Sequence, residues 1–426
     1  MRNTVMLSTA ALTVALLAAC SPGAAPATDA SAGGDGASSQ AVSVWYLADA
    51  VGVDTAIARF EAANPGVTVD AQPYANDQYK TKLKIALGTP NGPDVFHTWG
   101  GGEFGTYVGA GQVTDLTSFV ADSGLQDSIG GAALAVGEVG SKPYAVPVTV
   151  EASMVWYNTE IFATLDLTPP TTWADFLSVI KATKDAGYVP LATANKARWP
   201  GTHWWSELVA QTCGPEFVAK ASAGEASFDD ECVVKAHAYL QELVDAGAFN
   251  EGFNGLDYDS GESRQLFWSG KAAMNHMGNW TVSSAAEEAP DMLAKMAMFT
   301  VPAVPDAKVS NKAMTGGMNL FAVSKSAANS KLALELLSEL TGEQAAQDIA
   351  DGGRIPVYSG VALEDPLLQS VADAIAAAPS FTLWPDQFLD PSVAEVLLTN
   401  SQAVFGKEKT PVEAATALQE AQDKVK

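Results

Sequence analysis

AVSVWYLADAVGVDTAIARFEAANPGVTVDAQPYANDQYKTKLKIALGTPNGPDVFHT, residues 41–98, switches between the periods of strand and helix. Residues 41–47 (AVSVWYL) carry the β-branched and aromatic bias of a strand. Residues 54–63 (DTAIARFEAA) have helical spacing and stop at Asn64, Pro65 and Gly66. Residues 67–72 read as the next strand. Asn76 or Asp77 then caps a helix that runs through Lys84 and is stopped by Gly88 and Pro90, and residues 94–98 (DVFHT) read as a third strand. Strand, helix, strand, helix, strand predicts an α/β fold with parallel pairing. In such sheets ligands sit beyond the carboxyl ends of the strands, here near Trp45, Tyr46 and Trp99.

A second block begins after residues 144–150 (YAVPVTV), with a strand over 154–157 (MVWY), helices over 173–185, 233–246 and 260–267 and a strand over 272–276. A strand over 320–323, a helix over 327–340 and a mostly helical stretch from Val393 complete the pattern, with no internal repeat. The chain has 426 residues, enough for two domains or one large one. Apolar residues make up 47% and charged residues 17%, which is the balance of a globular protein. With 49 acidic against 24 basic residues the formal charge is −25. Such a surface repels the phosphates of nucleic acid and the anionic face of a membrane, so nucleic acid is excluded as a partner.

The first nineteen residues read as a signal peptide, with Arg2 ahead of an apolar run over 10–19 that is too short to span a bilayer. Ala18 and Ala19 directly before Cys20 have the form of a bacterial lipobox, in which the thiol is acylated and becomes the mature N-terminus. The plainer reading is an ordinary secretory signal with a chance cysteine. Residues 21–40 hold no apolar side chain larger than Ala or Pro and read as a flexible tether of about 25 Å. The protein is therefore expected at the cell surface, held to the outer face of the cytoplasmic membrane by lipid alone, since no later stretch is long and apolar enough to span it. Outside the cytoplasm Cys213 and Cys232 read as a disulfide, worth roughly 3 kcal/mol in the chain-entropy model, against the alternative of two buried thiols.

Trp99-Gly100-Gly101-Gly102-Glu103-Phe104-Gly105 contains a G-x-G-x-x-G spacing after a strand. It follows a third strand rather than a first, and Glu103 puts negative charge where a pyrophosphate would lie, so a sharp turn that sets Trp99 against a cleft is the better reading. No P-loop, nucleophile elbow or metal-ligand spacing occurs, and no cofactor or metal is expected. Glu103, Glu151, Glu207 and Asp257 are candidates for the carboxylate pair of an extracellular glycoside hydrolase, which remains the alternative function. The tryptophans are the most informative residues. Trp45, Trp99, Trp199, Trp204, Trp205, Trp268, Trp280 and Trp384 mostly sit beside Gly, Asn or Pro, while Trp156 and Trp173 read as core. Indole faces stack on the C–H faces of pyranose rings, and carboxylates and amides meet the hydroxyls, so this composition points to sugar.

Several segments in order resemble the carbohydrate-binding lipoproteins of ABC importers, the group that includes maltose-binding protein. They are the lipobox, VSVWYL with FEAANPGVTVD, YANDQYKTKLKIAL with GTPNGPDVFHTWGGG, VPVTVEASMVWYNTEIF with the downstream Pro169-Pro170-Thr171-Thr172-Trp173, FWSGKAAMNHMGNWTVSS, and GGMNLFAVSKSAANSKLALELLSELTGEQAAQ. The resemblance implies a two-lobed periplasmic-binding-protein-like fold, each lobe a mostly parallel sheet flanked by helices and joined by a hinge. Residues 41–150 with 304–350 would form the first lobe, and 151–303 with 351–426 the second. It implies a non-enzymatic monomer that captures a neutral oligosaccharide between the lobes and hands it to ABC-transporter permease subunits. Its implied ligand contacts are Trp280 as stacking platform, Glu151 at the hinge, Asn76 at a helix start, Trp99 with Gly100 and Gly101 as a cleft wall, Gly317 and Asn319 from the first lobe, and Trp384 from the second. Trp45, Trp204 and Glu207 are further candidates. The WGGG turn is more similar to relatives that carry xylo-oligosaccharides or raffinose-type galactosides than to maltose-binding protein.

Overall fold

The computed structural model describes residues 40–425. The leader, Cys20 and most of the tether lie outside the described residues. The opening elements form where their period and stop signals put them. Strand β1 (Gln40–Leu47) leads to helix α1 (Val53–Ala63), β2 (Val67–Tyr74), helix α2 (Asn76–Ala86) and β3 (Val95–Thr98). Helix α1 buries Val53, Ala56, Ile57 and Phe60, a single i, i+3, i+4, i+7 stripe, and ends at Asn64 before Pro65. β1 lies between β2 and β3 and runs parallel to both. The glycine turn after β3 opens helix α3 (Gly101–Gly109).

A short hairpin, β4 (Glu138–Val139) with β5 (Lys142–Pro143), precedes β6 (Ala145–Asn158). The sequence predicts a strand over 154–157 here, and the structure has one that begins nine residues earlier, fourteen residues long and buried almost throughout. β7 (Val189–Ala192), β8 (Ala272–Gly278), β9 (Met296–Phe299), β10 (Met314–Val323) and β11 (Phe381–Leu383) complete a nine-stranded sheet of order β2-β1-β3-β10-β6-β8-β7, with β11 beside β10 and β9 beside β6. The parallel pairs β1·β2, β1·β3, β7·β8 and β10·β11 flank the long strands β6 and β10, which pair antiparallel with each other.

The apolar core divides along those two strands. One set of clusters draws on residues 42–148 and 320–349, the other on residues 152–314 and 355–421. Val304 and Met314, expected in the first lobe, pack in the second set, because β10 enters the sheet beside β11 and reaches the first set only from Leu320 onward. The two halves turn the same ends toward one another. The carboxyl ends of β1, β2 and β3 and those of β7 and β8 all lead into loops that line one cleft, the arrangement that parallel α/β units favour for ligands.

The helix Trp199–Cys213 (WPGTHWWSELVAQTC) gives no periodic signal in the sequence, and only the family resemblance puts a helix start near Trp204 and Glu207. Every residue but its last is buried, so the chain has no polar face from which a helical period could be read. Its last residue, Cys213, is bonded to Cys232 in the first turn of helix Glu231–Asp245, with Cα atoms 5.2 Å apart. Thr212 Oγ1 donates to the Cys232 carbonyl at 2.8 Å beside the bridge. Replacing both cysteines by serine should cost about 3 kcal/mol. Thermal unfolding with and without reductant should show the wild type falling to the variant's midpoint, and equal midpoints in oxidising buffer would contradict a stabilising bridge.

Candidate functional site

The cleft holds a narrow inner chamber of about 70 Å³. It opens into a groove of about 740 Å³ between α2 and α3 on one side and the helices Trp199–Cys213 and Pro391–Phe405 on the other. Asn76, Trp99, Glu151, Trp280, Asn319 and Trp384 line the chamber, and Gly100 lines the groove. These expected residues are therefore brought together.

Trp45 and Trp204 do not join them, and Gly101, Gly317 and Glu207 line neither chamber nor groove. Trp45 is buried with Tyr79, Phe96 and Phe104 in the first set of clusters, its ring edge-on to Tyr74 at 5.2 Å. Successive side chains of a strand face opposite sides, and helices pack against β1, so the cleft receives Leu47 at the strand's last position and Asp49 beyond it instead. Trp204 packs between Phe176 and His276, with ring centroids 4.0 Å from the latter. On its helix the i, i+4 pair Trp199 and His203 faces the chamber, while Trp204 and Trp205 lie at core positions.

Two glycines explain how the indoles reach the site. A Cβ on Gly278 would lie 2.0 Å from the Trp280 ring, and one on Gly317 would lie 2.7 Å from the Trp384 ring, so each indole lies directly over a glycine backbone. Gly101 has φ +70° and a Cβ there would meet the Gln387 carbonyl at 2.2 Å. The start of α3 is thus covered by the 387–389 backbone, which leaves no space for a pyrophosphate. Trp199, Trp280 and Trp384 form an aromatic wall with Trp280 centred 6.1 Å and 5.9 Å from the other two.

At the chamber's base Arg354 is fully buried. Its Nη1 donates to Glu151 Oε1 at 3.2 Å, Nη2 to Asp49 Oδ2 at 2.9 Å and to the Asp49 carbonyl, and Nε to Ser283 Oγ at 2.8 Å. Thr149 Oγ1 and Asn319 Nδ2 donate to the same Glu151 oxygen at 3.0 and 3.1 Å. Asn319 reaches it because the β10 register shifts between Asn319 and Leu320, and such a bulge re-aims a side chain. Glu151 Oε2 is buried and takes no protein hydrogen bond, and the same holds for Asp386 Oδ1 and Trp199 Nε1. Three unsatisfied polar atoms on chamber-lining residues mark where a ligand's own polar groups belong. Burial raises the Glu151 pKa against the pull of Arg354, and burial raises that of Asp386. Tyr258 is pushed up to about 12, and His203 is held well below its ordinary value, both by burial.

The four candidate hydrolase carboxylates are dispersed. Glu103 and Asp257 line the outer groove, with Asp257 paired to Lys196 at 2.9 Å. Glu151 is in the chamber, and Glu207 lies in the interior, accepting from Thr315 Oγ1 at 2.8 Å. Sequence reading missed Asp49, Lys80, Tyr258, Met318, Asp386 and Gln387 in the chamber wall, and did not assign Trp199, His203 or Arg354 to it. Among the described residues there is no cluster of three or more metal-ligating groups and no helix long and apolar enough to cross a membrane.

The profile of the bacterial extracellular solute-binding protein family matches residues 45–347. The chain belongs to that family. A probable sugar-binding periplasmic protein of Mesorhizobium japonicum is 26% identical over 286 residues, 65% of this chain and 66% of that one. Matches to the first curated relatives span 54% to 69% of those proteins' length. A solved structure from work on xylan utilisation by the thermophilic bacterium Caldanaerobius polysaccharolyticus superposes with TM-score 0.83 at 27% identity, covering 89% of this chain and 99% of that one. A chitin oligosaccharide binding protein superposes with TM-score 0.80 at 25% identity, covering 90% and 98%. The fold of this solute-binding protein is accordingly the two-lobed α/β fold of its relatives.

Two buried groups give measurable consequences. Arg354→Met leaves Glu151 buried without its cation and should cost about 3–5 kcal/mol, most of it recovered by adding Glu151→Gln. Urea unfolding of the single and double variants reads this directly, and equal losses in both would contradict it. Burial pushes Glu207 up to about 8 from 4.5. Between those pH values the native chain keeps a proton that the unfolded chain releases, so stability falls as pH rises across the window, by up to roughly 1 kcal/mol per pH unit. Glu207→Gln should therefore gain on the wild type from pH 5 to pH 8 in melting temperature. Parallel pH profiles would refute a raised Glu207.

Proposed function

We propose that this solute-binding protein captures a neutral oligosaccharide in the cleft and delivers it, uncleaved, to the permease of an ABC importer. The observation that carries the reading is the convergence on one chamber of four tryptophan rings and three unsatisfied polar atoms, two of them carboxylate oxygens ready to take hydroxyl protons. Indole faces suit pyranose C–H faces, and the outer groove gives a chain of rings a way to continue beyond the chamber.

The expected lobes, residues 41–150 with 304–350 and residues 151–303 with 351–426, are proposed to close on the sugar about β6, β10 and the segment between Ile349 and Ile355, each of which runs from one set of clusters to the other. A lipid on Cys20 is proposed to hold the monomer at the outer face of the membrane. Of the expected sugars, a xylo-oligosaccharide is favoured over a raffinose-type galactoside, supported by the likeness to the structure from work on xylan utilisation. Hydrolysis is disfavoured by the dispersal of the candidate carboxylates. The one Ser–His contact at the chamber, between Ser153 and His203, involves Nδ1 and a hydroxyl that already accepts an indole N–H.

The test is thermal unfolding of residues 41–426 against xylo-oligosaccharides, arabino-oligosaccharides, raffinose, maltose and chitobiose, followed by titration calorimetry. A ligand at a thousandfold its Kd should add about 4 kcal/mol. Trp280→Ala should then weaken binding by about 1–3 kcal/mol. Reducing ends appearing on overnight incubation would replace binding with hydrolysis, and unchanged affinity in Trp280→Ala would remove that ring from the site.

A further inference from the structure

Two indoles of the chamber donate their N–H groups inward to other side chains rather than to the cleft. Trp384 Nε1–H donates to Ser153 Oγ at 3.2 Å, and that oxygen lies 3.4 Å from His203 Nδ1. A hydroxyl has one proton and two lone pairs. With a lone pair of Ser153 taken by the indole, its proton has one acceptor within reach, His203 Nδ1. That assignment leaves Nδ1 bare and the ring proton on Nε2, whereas the opposite tautomer, with Nδ1–H donating to the second lone pair, would leave the buried hydroxyl proton without an acceptor among the described residues. The His203 ring stacks on Trp384 with centroids 4.2 Å apart and planes 7° apart, so its orientation is fixed as well as its tautomer. The ring lines the chamber, and Nε2 has no protein partner. Burial holds the imidazole neutral at pH 7.

The same device recurs alongside. Trp280 Nε1–H donates to Tyr258 Oη at 2.8 Å, and no described side chain takes the phenol's own proton on this chamber-lining residue. Each indole N–H thus fills a lone pair of a neighbouring hydroxyl and sends the hydroxyl's proton onward. The chamber thus presents donors from His203, Tyr258 and Trp199 together with the bare carboxylate oxygens of Glu151 and Asp386.

We propose that His203 is a specificity-determining residue whose Nε2–H donates to an acceptor oxygen of the bound sugar, either the ring or the glycosidic oxygen, with Ser153 and Trp384 as positioning residues that set this tautomer. This rests on the oligosaccharide reading for the identity of the ligand, though not for the tautomer. A hydroxyl can answer either a donor or an acceptor, but a ring or glycosidic oxygen only accepts. A fixed donor therefore admits a ring or glycosidic oxygen at a position where a bare carboxylate would reject it, and donor and carboxylates together set the register of a bound chain.

The test uses the four histidines of the chain. Long-range ¹H–¹⁵N correlation spectra of histidine-labelled protein at pH 7, with His203→Gln to assign the signal, should show His203 neutral with Nε2 protonated. Ser153→Ala removes the relay. Trp384→Phe removes the N–H and keeps a stacking ring, so each variant should give a mixture of tautomers at His203. Calorimetry with xylotriose, or with whichever sugar of the panel stabilises most, should show His203→Gln and Ser153→Ala binding about three- to tenfold more weakly. A His203 that is protonated on Nδ1, or cationic, or unmoved in both relay variants overturns the proposal, as does unchanged affinity in His203→Gln. A panel in which no sugar binds overturns the oligosaccharide reading and the ligand half of this one, and the tautomer is still decided by the spectrum of the free protein.

Discussion

The buried contact between Arg354 and Glu151 organises the cleft. Arg354 binds a loop after β1 through Asp49, the crossing strand β6 through Glu151 and the helix start after β8 through Ser283, so one guanidinium gathers three parts of the chain at the cleft's base. An interior ion pair of this kind adds little net stability over an apolar replacement, and its value is in fixing positions. The fixing extends outward. Because Asn319 Nδ2 donates to Thr149 and Glu151, its Oδ1 faces His97 Nε2 at 2.9 Å and that nitrogen must carry the proton. Three donors crowd one oxygen of Glu151 and leave the other bare and oriented.

The sheet delivers the rest of the site with few special devices. Parallel strands on both sides of the crossing pair end at the same cleft, so each following loop contributes a wall residue: Asp49 after β1, Asn76 after β2, Trp99 after β3 and Trp280 after β8. Where an aromatic must lie over backbone, glycine removes the Cβ in its way, at Gly278 and Gly317. The Asn279 side chain, between Gly278 and Trp280, accepts from Ala152 N at 2.8 Å and donates to the Val150 carbonyl, which ties the Trp280 turn to β6 at the point where that strand passes between the lobes.

Elements with one wet face were legible in the sequence. The helix expected over 173–185 is Trp173–Asp185, and the first five elements fall within a few residues of their expected bounds. The helix Trp199–Cys213 was not legible because burial on every side removes the polar phase that periodicity needs. The same loss explains the site. Trp280 and Trp384 stand beside turn residues and could be picked out, whereas Trp45, in a strand, and Trp204, in a helix, lack such neighbours and face the core. Which side of an element a tryptophan takes depends on what covers it, and that is tertiary information. Arg354, Tyr258 and Asp386 carry no local signal at all, since a charged or phenolic side chain in a loop reads as solvated until packing buries it.

Net charge alone does not decide what the cleft admits, and the local arrangement carries that argument further. Five ionisable side chains of acid or base type line the chamber: Asp49, Glu151 and Asp386 against Lys80 and Arg354. Arg354 is spent on Glu151 and Asp49. Lys80 lies over the Trp99 ring with Nζ 4.9 Å from its centroid, and its charge acts on Asp386. Arg354 is thus committed to carboxylates, and Lys80 faces an indole without an ion pair of its own among the described residues, while two carboxylate oxygens are bare. A uronate or phosphate entering there would lose its hydration and meet bare acceptors, a combination that costs several kcal/mol, whereas a neutral hydroxyl supplies the proton each acceptor lacks. On the proposed reading, the unpaired oxygens that would hold a sugar's hydroxyls are also the ones that favour a neutral polyhydroxy ligand over an anionic one.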